Sequence, residues 1–151
     1  MKRFVFALAA ALLLTAMNLP SVHAQSTASG TPSLYKQLGG YDGIAAVTDD
    51  FIHRLASDSR FAKFFAGVSD AHKARIRQMF VDLLCAKTGG PCVYVGMDMK
   101  TAHQGLHITP ADFDASAQLF KQSLDKYSVP AAAQQQLFQI VGALKPDVTM
   151  P

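Results

Sequence analysis

Two histidines, His103 and His107, stand four residues apart in MKTAHQGLHITPADF, with Gly105 between them and a helix-start signal just beyond. A neutral imidazole can ligate a metal, act as a general base or carry a switchable proton. His103 comes one helical turn after Met99, at the end of a short segment, and Gly105 permits a sharp change of direction behind it. The same glycine argues against one continuous helix face carrying both rings, so a two-histidine site is disfavoured. No second strong ligand lies nearby at zinc spacing. His53 falls opposite Phe51 and Leu55 on its helix, and His72 sits among Asp70, Lys73 and Arg75; both are expected to face solvent. All eleven acidic residues are aspartates, which excludes any mechanism that needs a glutamate.

The other chemistry-bearing pair is Cys85 and Cys92 in LLCAKTGGPCVY. Two cysteines alone cannot complete a zinc site, their spacing is not that of a thioredoxin-like redox pair, and the lack of Cys-x-x-Cys-His rules out thioether attachment of a c-type haem. In an exported chain, an even pair around a tight Gly-Gly-Pro turn reads as a disulfide. Export is what the N-terminus suggests. Lys2 and Arg3 precede an apolar run from Phe4 to Met17, a break at Pro20 and a small-x-small site at Val22-His23-Ala24. This reads as a signal peptide, residues 1–24, cut after Ala24. The apolar run, roughly 14 residues, is short of the ~20 that span a bilayer, so no stable membrane insertion is expected and the mature chain is placed in the periplasm or secreted. Cleavage leaves twelve basic against eleven acidic residues, and no basic run or aromatic-interleaved patch points to nucleic acid.

The elements that must position these residues are helical throughout. Residues 25–32 form a small, polar tether, and the folded domain spans 33–151. SLYKQLGG gives a short helix ended by Gly39 and Gly40. Asp42 is expected to cap a longer helix with Ile44, Val47, Phe51 and Leu55 inward. DSRFAKFF forms a compact turn packed by Phe61, Phe64 and Phe65. A helix follows from about Asp70 to Ala86, with Ile76, Met79, Phe80, Leu83 and Leu84 on one face. DMKTAH is at most a short helix. Thr109 then caps a helix with Pro110 at its first position and Asp112 in a capping-box place, and Phe113, Ala117, Phe120 and Leu124 form its stripe. A last helix begins at Pro130 and carries Leu137, Ile140, Val141 and Leu144 inward until Pro146 stops it. No period-two alternation and no repeat is present, so the fold class is all-α, with four main helices and several short ones.

A cofactor that brings its own four ligands changes the weight of a lone histidine. Haem asks the protein for one neutral imidazole, apolar walls and a few groups for its propionates. Phe51, Phe64, Phe65, Phe80, Leu84, Met99 and Phe113 supply more apolar bulk than a short helical domain needs for its own core.

Taken in order, LYKQLGG (34–40), DDFIHRL (49–55), FAKFF (61–65), GGPCVYVG (89–96) and MKTAHQGLHIT.ADF (99–113) resemble the group I truncated haemoglobins. The likeness runs from about Ser33 to Leu144, and its most specific element is Met-Lys-x-x-His-x-Gly with the following Ile-Thr-x-x-x-Phe. It implies a 2-on-2 α-helical sandwich around one b-type haem, with His103 as the proximal iron ligand. Phe65 matches the phenylalanine that stacks on the haem. Tyr94, Met99 and Lys100 match residues at the haem edge, where Lys100 would pair with a propionate, and Phe113 would pack below the ring. His107 stands where relatives often have glycine, so a propionate contact there follows from its charge and reach alone.

The distal side departs from the family pattern. Where oxygen-avid members have Phe-Tyr, this chain has Phe51-Ile52, and ungapped alignment from Gly89-Gly90-Pro91 puts Ile76 and Phe80 at the other distal positions, where relatives often carry glutamine. A shifted alignment would place Gln78 there instead. Met79 offers a possible soft distal ligand, with plain core packing as the alternative. The resemblance implies reversible binding of O2, NO or CO, with nitric oxide dioxygenation open to it given a reductase or other electron donor. The competing readings are a haem-free helical module that binds another exported protein, and a haem capture and delivery protein.

Overall fold

The structure, a computed structural model, describes residues 31–149. It contains eight helices and no strand among those residues: α1 (Leu34–Gln37), α2 (Gly40–Ser57), α3 (Ala62–Phe65), α4 (Asp70–Lys87), α5 (Met99–His103), α6 (Pro110–Lys126), α7 (Ala131–Gly142) and α8 (Lys145–Val148). The expected signal peptide, residues 1–24, and most of the tether lie outside the described residues. No helix within them is long and apolar enough to cross a membrane.

Local signals explain most of the helix boundaries. Ser33 caps α1 by accepting from the Lys36 N–H, and Ser69 caps α4 by accepting from that of His72. The expected capping box at α6 is present. Thr109 Oγ1 accepts from the Asp112 N–H at 3.1 Å, while Asp112 Oδ2 accepts from the Thr109 N–H at 3.1 Å.

Two boundary expectations need correction. Asp42 does not cap α2; Gly39 does, at φ 83°, and Asp42 lies in the first turn, where its charge complements the helix dipole. The α1–α2 junction is too tight for a later start. A Cβ on Gly43 would lie 2.1 Å from the Leu38 carbonyl oxygen. Pro146 does not simply stop the last helix either. α7 ends at Gly142, and Pro146 sits in the first turn of α8, where a missing N–H costs nothing.

α2 packs against both α4 and α6, and α1 joins α2 to α7. Ile44, Val47, Val81, Leu84, Phe120, Leu124 and Leu137 fill the core between them. Phe120 is its aromatic hub, with ring centroids 5.0 Å from Phe51 and 6.0 Å from Phe80 and Phe138. The α2–α6 seam is closed by charge. Asp50 accepts from Arg54 at 2.6 Å, Ser123 at 2.8 Å and Lys126 at 2.5 Å. Burial opposes the Asp50 charge, but these donors outweigh it and hold the carboxyl well below the usual carboxylate range.

The expected α4 stripe is divided between two faces. Val81, Leu83, Leu84 and Cys85 are buried, whereas Met79 and Phe80 are half-buried and Ile76 is 38% exposed. Residues 76, 79, 80 and 83 recur at helical spacing on a face rotated away from Val81 and Cys85. On α7, Ala133 and Gln134 take interior places beside Leu137, and Ile140 and Val141, like Leu144 beyond the helix, are only partly buried. Cys85, in the last turn of α4, is bonded to Cys92 across a Cα–Cα distance of 5.7 Å. That turn accepts only glycine at position 90, since a Cβ there would lie 2.5 Å from the Tyr35 ring and 2.6 Å from Cys85 Sγ.

Candidate functional site

Five residues make α5, and none of them is buried. A helix this short is marginal on its own, so its ends and its neighbour must hold it. Its main packing neighbour is α8. At its N-terminus Asp98 uses both carboxylate oxygens, accepting from the Thr101 N–H at 2.9 Å and from the Thr101 hydroxyl at 2.8 Å. These bonds lower the Asp98 pKa.

His103 ends this helix, half-buried, with Nδ1 2.8 Å from the Met99 carbonyl oxygen. A carbonyl can only accept, so Nδ1 carries the proton and donates, and the lone pair resides on Nε2. That is the tautomer a metal-ligating imidazole needs. No group of three His, Cys or Asp residues among the described residues is placed to hold a metal ion, so the protein's donor set at α5 is this one nitrogen.

His107 does not share the helix. α5 has ended, and His107 is exposed at φ 50° in the link to α6. His53 and His72 are also exposed, as expected.

The residues expected on the distal side carry no hydrogen-bonding side chain. Phe51 is buried and packs 5.5 Å from Phe80, centroid to centroid, while Ile52 is half-buried. Gln78 is engaged elsewhere, donating to the Tyr41 hydroxyl and to Asp82, each at 2.9 Å. Leu84 is 2% exposed and belongs to the interhelical core.

Among the edge residues, Tyr94 folds back on its own loop. Its hydroxyl donates to the Met97 carbonyl at 2.6 Å, and its ring occupies the space a Cβ on Gly96 would need, with atoms 2.4 Å away. Burial, then the nearby Asp98 charge, raises its pKa. Met99 is half-buried, and Lys100 is exposed with no ion pair among the described residues. Phe65 and Phe113 are both half-buried. Lys145 lies 5.7 Å above the Phe113 ring and bonds Asp114 at 2.5 Å, tying α8 to α6 beside α5. Sequence reasoning missed Asp98 and Lys145. An aspartate directly before a short helix was the available signal for the first; nothing local marks the second.

Residues 33–150 match the family described as bacterial-like globin. The group 1 truncated haemoglobin GlbN of Mycolicibacterium paratuberculosis is 28% identical over 116 residues, covering 77% of this chain and 83% of its own. That of a Nostoc species is 33% identical over 99 residues, covering 66% and 81%. Among solved structures, a truncated haemoglobin from Tetrahymena pyriformis has a TM-score of 0.73 at 23% identity, over 80% of this chain and 100% of that one; this likeness concerns the fold. The 2/2 haemoglobin of a Synechococcus species, described as cyanomet with covalently attached haem, has a TM-score of 0.71 at 27% identity, over 78% and 98%.

Proposed function

Because this chain belongs to the bacterial-like globin family, we propose that its mature form is an exported haemoglobin that takes up diatomic gases at a His103-held haem and binds oxygen loosely. The all-α fold matches truncated haemoglobin structures, and the family implies a haem cofactor. The residues present fit that group. His103 offers Nε2 with Nδ1 already committed to Met99. Ile52, Phe65, Ile76, Phe80, Met99 and Phe113 keep apolar surface outside the core. Lys100 and His107 are exposed and free to meet propionates.

When bound, the haem would supply an iron at which a diatomic gas can bind once it is reduced. The chain's own part is to hold the imidazole in one tautomer, exclude water with an apolar lining, and decide what hydrogen bonds a ligand finds. Ile52, Ile76 and Phe80 provide none, and Gln78 is occupied by Tyr41 and Asp82. A charge-assisted hydrogen bond is worth roughly 1.5–3 kcal/mol, and each 1.4 kcal/mol is about tenfold in affinity. Oxygen is therefore held about ten- to a hundredfold more weakly than in a tyrosine-bearing relative, with CO and NO less affected. Such weak binding argues against oxygen storage. A b-type haem is what the family resemblance implies, and the lack of Cys-x-x-Cys-His fits it. A role in nitric oxide removal rests on an electron donor that the sequence does not name.

The observation that carries this reading is the His103 Nδ1–Met99 contact, taken together with a family-aligned distal set that has no donors. Stopped-flow measurement of O2 and CO release from the reduced, haem-loaded chain tests it. Fast O2 release with CO strongly preferred supports the proposal, whereas slow O2 release contradicts it. Haem transfer to apomyoglobin separates a resident haem from a cargo, since delivery requires rapid loss. Export is supported by the leader-like residues 1–24 and by the Cys85–Cys92 pair. N-terminal sequencing of the mature chain and thiol alkylation of cell fractions test it; an intact Met1 or free thiols would contradict it.

A further inference from the structure

α5, which carries the proposed ligand His103, is a lightly built element. It has five residues, none of them buried, and one principal packing neighbour, α8. Beside its backbone bonds, such as Ala102 N–H to the Asp98 carbonyl at 2.9 Å, three side-chain bonds hold it. Two run from Thr101 to Asp98, and the third runs from the His103 ring back to Met99. Their connection is geometric. Asp98 is the N-cap, and Met99, whose carbonyl orients the imidazole, is the first helical residue after it. The backbone that aims the Met99 carbonyl is the backbone that the cap fixes. Because Thr101 meets the carboxylate through both its N–H and its hydroxyl, the cap is held at two points and resists rotation about the Asp98 side chain.

We propose that Asp98, through Thr101, is a positioning residue for the proximal imidazole: the two-point cap sets the Met99 carbonyl and thereby the tautomer and direction of His103. This rests on the reading of His103 as the iron ligand, but its structural content is present in the haem-free chain. Asp98 touches no ligand itself. Removing the cap leaves the helix free to fray from its first turn, and the ring then loses the acceptor that selects the Nδ1-protonated form. The core contains none of α5, so the fold survives the change.

Asp98→Ala, Asp98→Asn and Thr101→Val test this, with far-UV spectra confirming retained helix. In the haem-free chain, 15N NMR of histidine reports the His103 tautomer. Wild type shows Nδ1 protonated, Asp98→Ala reverts toward the Nε2-protonated form common in free histidine, and Asp98→Asn, whose Oδ1 still accepts from the Thr101 N–H while its amide N–H can donate to the Thr101 hydroxyl, retains the wild-type signal. In the reduced, haem-loaded chain, resonance Raman reads the iron–histidine stretch. It shifts down and broadens in Asp98→Ala, moves part of the way in Thr101→Val and stays in place in Asp98→Asn. Haem loss to apomyoglobin accelerates about two- to thirtyfold in Asp98→Ala, the range corresponding to a lost N-cap.

An unchanged tautomer and stretch in Asp98→Ala would overturn the proposal. So would equal shifts in the alanine and asparagine variants, which would trace the effect to charge and not to the cap. If wild type takes up no haem, the ligand assignment fails, while the tautomer comparison still decides the positioning role.

Discussion

In the proposed function Ile52 is the residue on which the gas chemistry turns, because it would place a branched hydrocarbon where a tyrosine hydroxyl would otherwise meet the ligand. Restoring that hydroxyl in Ile52→Tyr should slow oxygen release about ten- to a hundredfold while changing CO release little. Stopped-flow mixing reads this directly, and an oxygen rate identical to wild type would remove the distal argument. The assignment depended on an ungapped alignment that set Gln78 aside. In the structure Gln78 bonds Tyr41 and Asp82, on a different face of α4 from Ile76 and Phe80. His103 was singled out as a candidate ligand by a turn of helix before it and a glycine after it, and as a proximal ligand only through the family resemblance. Its committed Nδ1 was not, because a bond to a carbonyl four residues back exists only once the helix forms.

Elements here are held by ends and seams as much as by stripes. The capping box at α6 could be read directly from Thr-Pro-x-Asp, and Thr109→Ala should cost about 1 kcal/mol in urea unfolding. Glycine roles at close approaches were not legible. Gly43 lies against the Leu38 carbonyl, and Gly43→Ala should destabilise by roughly 2 kcal/mol or more, since backbone and not a flexible side chain must yield. The α4 stripe was read as one face because hydrophobic spacing alone does not distinguish a side chain bound for the core from one left partly exposed.

The α2–α6 seam contributes to the acid response. Asp50 has a depressed folded pKa, so its contribution is complete above the unfolded value of about 3.9 and is lost as pH falls below it toward the folded value. Asp50→Asn should therefore lower stability at neutral pH by roughly 1.5–3 kcal/mol and flatten the acid limb of the pH–stability curve. A variant with an unaltered acid limb would show that the seam is not the source.

For the whole molecule, the all-α class and the four principal helices followed from apolar periodicity and caps, whereas the packing of α8 on α5 did not, because it joins residues more than forty positions apart. The Cys85–Cys92 cross-link ties the end of α4 to the loop that leads to Tyr94 and α5. For a loop of about eight residues, chain entropy assigns it roughly 2.5 kcal/mol, so Cys92→Ser or reduction should lower Tm by on the order of 10 °C, with thermal unfolding as the measurement. Gas binding as proposed requires haem held by one histidine. Its most direct test is the visible spectrum of the mature chain mixed with haemin, recorded as prepared, after dithionite and after CO, with His103→Ala alongside. A Soret band that shifts at each step in wild type and is lost or misshapen in the variant is the predicted result; a helical chain that takes up no haem, or a variant indistinguishable from wild type, would contradict it.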